Sequence, residues 1–344
     1  MVGGCFDFGV KRVKIVPPYL MFLGDAPDQL GAKTADGVAK WRPDWCLGQL
    51  RLEGCQADIG LKDMTLEGAK AAGVKTLILG VTNQGGFFND SWMETLHGAL
   101  DLGMDIASGL HMRLGDVPGL GEKAAKLGLQ LYDARHPTQD FAVGKAVPRT
   151  GKRVLTVGTD VSVGKMFTSL CIEKEMKARG MKADFCATGQ TGIFIVGEGV
   201  SVDAVVADFI SGAAETLSPD NDPDHWDVIE GQGSLMHASY AGVTLGLLHG
   251  SQPDAIVLCH EPVRLHMRGT PHIPMPGLQA TIDANIAAGR LFNPDIRCIG
   301  VSVNTSGLSA ADAAKFLIDT EAELGLPCVD AYKDGAARLV DALS

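Results

Sequence analysis

No cluster of lysine and arginine offsets a formal charge of -11 over 344 residues, which argues against nucleic acid as a partner and leaves small molecules as the expected ligands. No C-x-x-C pair occurs among the eight cysteines. Several of them lie in apolar, strand-like runs, the pattern of reduced, buried thiols in a cytoplasmic protein. No window approaches the roughly 18 uninterrupted apolar residues of a membrane span. The opening Met1-Val2-Gly3-Gly4-Cys5-Phe6-Asp7 lacks the basic flank and apolar core of a signal peptide, so a soluble chain free of membrane is expected. No G-x-G-x-x-G follows the first candidate strand, Tyr19-Leu20-Met21-Phe22-Leu23, and NAD binding is therefore unsupported. Internal repeats and low-complexity stretches are missing as well.

What is there is apolar enough, at 46%, for two domains with cores of their own, and a chain of this kind is also capable of self-association. From Tyr19 to about Arg135, short apolar runs alternate with amphipathic segments, the pattern of an α/β parallel sheet covered by helices. Thr65 to Ala72 reads as a helix closed by Gly73, and Lys75 to Leu79 as a strand. That strand runs into Gly80 to Gly86, a candidate pocket wall. Val143 to Lys152 reads as a linker, giving domains at 1–147 and 148–344.

The second domain opens on the strand Arg153 to Val157, followed by Gly158-Thr159-Asp160-Val161-Ser162-Val163-Gly164-Lys165-Met166 and a helix to Arg179. Strand, glycine loop and helix make a phosphate-binding loop: backbone N–H groups converge on an anion at the positive end of a helix, and Lys165 adds a mobile charge. Met166 stands where nucleotide hydrolases place the Ser or Thr that holds Mg²⁺, and a thioether cannot do so. Thr168 lies about 200° further round the helix. The loop is thus expected to take a diphosphate without the metal of phosphoryl transfer, and no metal site is expected.

Further candidates sit at later strand ends. Glu230 ends the strand from His225, where P-loop proteins place a carboxylate, and His260 ends the strand from Asp254. Arg264, His266, Arg268 and His272 crowd the loop beyond, which suits recognition of an anionic substrate. Asn304, after the strand from Ile299, is positioned to read a base. A helix is expected around Val202 to Ser211 and another over Ser309 to Leu324.

The loop's longer G-x-x-x-x-x-G-K spacing resembles that of dethiobiotin synthetase. Leu23-Gly24-Asp25-Ala26-Pro27, Ala32-Lys33-Thr34-Ala35, Ser108-Gly109-Leu110-His111, Gly164-Lys165-Met166, Glu230-Gly231-Gln232-Gly233-Ser234-Leu235, Gly246-Leu247-Leu248-His249-Gly250 and Cys259-His260-Glu261-Pro262 carry a resemblance over nearly the whole chain to the D-glutamate N-acetyltransferase-like family. It implies a Rossmann-like domain followed by a P-loop domain, and acetyl transfer from acetyl-CoA to the amino group of D-glutamate. Residues 158–166, with Thr168 and Asn304, would bind the coenzyme. Glu230, His260 and Lys165 would serve catalysis, and Arg264, Arg268, Gln190 and His237 would hold the substrate. The alternative is an ATP- and Mg²⁺-dependent ligase or kinase acting on a small carboxylate.

Overall fold

The computed structural model describes residues 14–82, 86–137 and 139–343. Two compact units comprise, respectively, the described residues up to His136 with Ile193–Gly199, and those from Pro137 to Gly192 and from Val200 on. The division falls ahead of 147/148 because the connecting segment is tied to the second unit. The N–H groups of Lys145 and Ala146 each donate to Glu215 Oε1 at 2.8 Å, and Arg149 donates to the Glu215 carbonyl at 3.1 Å.

In the first unit, β1 (Tyr19–Gly24), β2 (Cys46–Arg51), β3 (Thr76–Leu79), β4 (Asp105–Ser108) and β5 (Leu131–Asp133) form a parallel sheet in the order β2-β1-β3-β4-β5. Helices α1 (Lys33–Trp41), α2 (Leu66–Ala71), α3 (Met93–Asp101) and α4 (Leu120–Leu127) connect the strands. Every residue of β1 is buried, as an unbroken apolar run in a sheet covered on both faces should be. Thr65 caps α2 through its hydroxyl, and Gly73 follows at φ 87°, in the left-handed region. Of the expected pocket wall from Gly80 to Gly86, residues 83–85 lie outside the described residues.

The second unit carries a six-stranded parallel sheet of β6 (Lys152–Gly158), β7 (Ala183–Cys186), β8 (Trp226–Ile229), β9 (Ala255–His260), β12 (Arg297–Val303) and β13 (Cys328–Val329). A separate hairpin, β10 (His266–Met267) with β11 (Thr270–Pro274), follows β9. Its helices are α5 (Lys165–Ala178), α7 (Ile210–Leu217), α8 (Ala241–Ser251), α9 (Leu278–Gly289), α10 (Ala310–Leu324), α11 (Ala331–Asp334) and α12 (Ala337–Asp341), while α6 (Gln190–Val196) begins in this unit and ends among the residues grouped with the first. Because side chains alternate along a strand, Val154 joins the core under α5 with Ile172 and Met176, while Leu155 and Val157 join the opposite core with Leu247 and Leu248. The strand order β13-β12-β9-β6-β8-β7 places β6 where the winding reverses, and a crevice opens at the carboxyl end of such a strand.

The helix expected around Val202 to Ser211 is corrected. Two short 3₁₀ turns, Val202–Ala204 and Ala207–Phe209, occupy that stretch, and α7 begins only at Ile210. Val205 and Val206 adopt extended ψ values of 136° and 137°, the backbone that β-branched side chains favour, and Val202 is fully buried.

Candidate functional site

The strands β8 and β9, which flank β6, bring Glu230 and His260 up beside the loop between β6 and α5. Gly164 precedes α5 at φ 101°, and no side chain caps the helix. Its N-terminal N–H groups are therefore left for an anion. Ser162 is held at φ 54°, a conformation costly for a residue with a side chain and typical of loops whose successive N–H groups face one concavity. A Cβ at Gly158 would lie 2.8 Å from the Asp160 carbonyl and 3.0 Å from Lys165 Nζ, so glycine alone keeps the loop floor open. Lys165 Nζ donates to the Asp160 carbonyl at 2.9 Å; burial lowers its pKa to about 8. Met166 is half-buried on the first turn.

The loop is braced from outside by groups the sequence had suggested for other work. Asp160 is fully buried, and its Oδ2 accepts from Arg264 Nη1 and from the Arg268 N–H, each at 2.8 Å. Burial disfavours the carboxylate, but the Arg264 bond and the N–H groups of Arg268 and Val161 outweigh it, and the pKa is lowered. Arg264 also donates to the carbonyls of Val161 at 2.7 Å and Ser162 at 3.3 Å, and is bonded to Glu261. The carbonyls of Val161 and Ser162 are thereby held toward Arg264. The guanidinium of Arg264 is thus committed to the loop rather than open to substrate carboxylates. His237 is committed too: Nδ1 accepts from the Ser239 N–H at 3.1 Å, which leaves Nε2 to donate to the Arg268 carbonyl at 2.9 Å. Both side chains, expected at the substrate, are placed by the structure in the bracing of the loop. The guanidinium of Arg268 is exposed, while its backbone N–H is held by Asp160.

Glu230 is buried beside the loop. Its Oε2 accepts from the N–H groups of Thr188 at 2.9 Å and Gly189 at 3.1 Å, and Oε1 accepts from Gln232 Nε2 at 3.1 Å. Burial outweighs these bonds and raises its pKa to about 7. His260 faces Thr159 Oγ1 through Nδ1 at 3.0 Å and stacks on Phe316; burial, with the Arg264 charge, lowers its pKa to about 4. Thr168 is buried, with its hydroxyl 2.8 Å from Ser302 Oγ. Asn304 accepts from the Ser306 N–H at 3.2 Å and shapes the turn after β12. Gln190 opens α6 half-buried, directly after Gly189. That Thr188 and Gly189 hold Glu230 was not legible in the sequence, because the contact joins residues about forty apart. Among the described residues no three of His, Cys, Asp and Glu gather as a metal site would require.

The profile of the domain of unknown function DUF1611_C, described as a P-loop domain, matches residues 140–340, and that of DUF1611_N, described as a Rossmann-like domain, matches 50–137. A protein of Tritonibacter scottomollicae named D-glutamate N-acetyltransferase is 54% identical over 96% of this chain and 99% of its own length. One of the same name from Pseudoalteromonas sp is 49% identical over 95% and 99%. The crystal structure of a DUF1611 family protein from Anabaena variabilis has a TM-score of 0.83 and 31% identity, covering 95% of this chain and 99% of that one.

Proposed function

The chain belongs to the DUF1611 family, and from that premise we propose that it is a D-glutamate N-acetyltransferase using acetyl-CoA. The observation that carries the activity is the 54% identity, over 96% of the chain, to a protein of that name. The loop's chemistry fits: a coenzyme that transfers an acyl group offers a diphosphate to be held and no phosphoryl group to be activated. An open glycine floor, an uncapped helix and Lys165, without a hydroxyl at Met166, suit that task. The backbone of residues 160–166 and Lys165 hold the diphosphate. In the cell the enzyme stands in the cytoplasm at the first step of D-glutamate breakdown.

In acetyl transfer the amino nitrogen bonds to the thioester carbon, the C–S bond breaks, and the departing sulfur takes one of the two protons that nitrogen must lose. On proton affinity Glu230, near 7, is a better base than His260, near 4. Position argues against both. They end the strands flanking the loop, one strand spacing of about 4.8 Å away, whereas an extended pantetheine arm of about a dozen bonds is roughly 14 Å long. We assign both to the phosphate end, with Glu230 setting the charge beside Lys165 and the base lying at the arm's far end.

Thiol release from acetyl-CoA tests the reading, with D-glutamate, L-glutamate and no amino acid compared, without ATP or added metal. Release with D-glutamate and N-acetylglutamate in the mass spectrum is expected. ADP formation requiring Mg²⁺ and a carboxylate, without thiol release, would favour the ligase instead.

A pH dependence follows from the two titrating groups. An anion in the loop favours protonated Glu230 and protonated Lys165, so binding takes up protons and CoA affinity falls as pH rises through about 7 and then about 8. The Glu230 pKa is raised above its ordinary 4.5, so folding stability declines as pH climbs from there through about 7. Glu230→Gln is expected to remove the lower binding step, tighten CoA binding at pH 8 and add up to about 3 kcal/mol of stability there. Calorimetry and thermal melts at pH 6 and 8 check this; an unchanged KM with a collapsed kcat would return Glu230 to the role of base.

A further inference from the structure

We propose that the β10–β11 hairpin reads the adenosine 3′-phosphate of the coenzyme through Arg268, an inference that rests on the assignment of the loop to the coenzyme diphosphate. Arg268 follows β10 directly, and its neighbours alternate in burial: Met267 is 2% exposed, while His266 and Arg268 face solvent. Met267 therefore seats the hairpin, and its polar partners stand on the other side.

The peptide of Arg268 is fixed at both ends although its side chain is exposed. Its N–H donates to Asp160 Oδ2 at 2.8 Å, and its carbonyl accepts from His237 Nε2 at 2.9 Å. The root of the side chain is thereby bolted to a residue of the phosphate loop. From Pro262 to Ile282 there is no Asp or Glu, while Arg264, His266, Arg268 and His272 all fall in this stretch of a chain whose formal charge is -11. The hairpin is a local basic surface beside an anion cradle, and a guanidinium fork matches a phosphate monoester through paired N–H bonds.

Reach decides between that phosphate and the carboxylates of the amino-acid substrate. The 3′-oxygen of the ribose is about five bonds from the nearer phosphorus, roughly 6 Å, which an arginine rooted at the loop spans, whereas the thioester lies roughly 14 Å off along an extended arm. An arginine at the loop is at the wrong end of the coenzyme to hold the acceptor.

The test is calorimetric binding of coenzyme A and dephospho-coenzyme A to the full chain and to Arg268→Ala, with the KM for D-glutamate measured alongside. The native chain should bind coenzyme A about tenfold or more tighter than the dephospho form, the range of a charge-assisted hydrogen bond. Arg268→Ala should bind both as weakly as the native chain binds the dephospho form, with the D-glutamate KM unchanged, and Arg268→Lys should restore part of the preference. The variant keeps both backbone bonds, so its fold is expected to persist, with an unchanged melting point as the control. Discrimination that survives in Arg268→Ala overturns the inference, as does a raised D-glutamate KM. A native chain that binds coenzyme A and dephospho-coenzyme A equally well overturns it while sparing the coenzyme reading; failure to bind either form at all overturns both.

Discussion

Replacing Lys165 by alanine is expected to raise the KM for acetyl-CoA and the Kd for coenzyme A by about 100-fold, corresponding to nearly 3 kcal/mol, while kcat changes by no more than about threefold. The physical basis is the position of the amine. It is buried in the loop, and in this structure it occupies itself with the Asp160 carbonyl at 2.9 Å. An incoming diphosphate offers it anionic oxygens in place of a neutral one, and charge-assisted hydrogen bonds are about twice as strong as neutral ones. The same burial that lowers its pKa to about 8 makes the unliganded amine a liability, so the variant should fold at least as stably near neutral pH. Steady-state kinetics with varied acetyl-CoA, paired with calorimetry, separates the outcomes. A collapsed kcat at unchanged KM would mean that Lys165 acts on the reacting atoms and that the diphosphate is held elsewhere.

Gly231→Ala should lower stability by at least about 3 kcal/mol, at the upper end of what overpacking costs. A Cβ there would lie 1.6 Å from the Thr156 carbonyl oxygen. That atom belongs to the backbone of β6 and cannot swing aside as a side chain would. Relief requires β6 and the turn after Glu230 to part, which breaks the bond from the Gly231 N–H to Thr156 Oγ1 at 3.0 Å and disturbs the Thr156–Ser169 hydroxyl pair at 2.9 Å. Both support the loop, so coenzyme binding should fall with stability. Gly242→Ala is the control. It is the second residue of α8 and has nothing within 4 Å of its added Cβ, so an alanine there meets no obstacle. Thermal melts of the two variants decide the matter; equal midpoints would show that the turn has more room than the distance implies.

The contrast between these residues follows what local sequence can carry. The loop was legible because its glycines, Lys165 and the flanking strand and helix lie within one short stretch, and backbone geometry there follows from the residues themselves. Glu230 was legible as a strand end, since apolar runs mark strands and the next residue emerges at the sheet edge. The expected helix around Val202 failed because amphipathic spacing did not reveal that Val202 would be claimed by the core. Arg264 and His237 looked open because their partners are distant: the Arg264 bond to Asp160 spans 104 residues, and the His237 bond to the Arg268 carbonyl spans 31.

Sequence alone thus determined the class of the fold, the phosphate loop, its missing hydroxyl at Met166 and the acidic residue beside it, because each depends on the order of neighbouring residues. Tertiary structure alone decided which charged groups are already satisfied. It turned Arg264 and His237 into braces of the loop, left Arg268 with its guanidinium exposed, and reversed the proton affinities of Glu230 and His260. Those properties arise from burial and from partners brought together across the sheet, and desolvation is set by everything packed around a group rather than by the residues beside it in the chain.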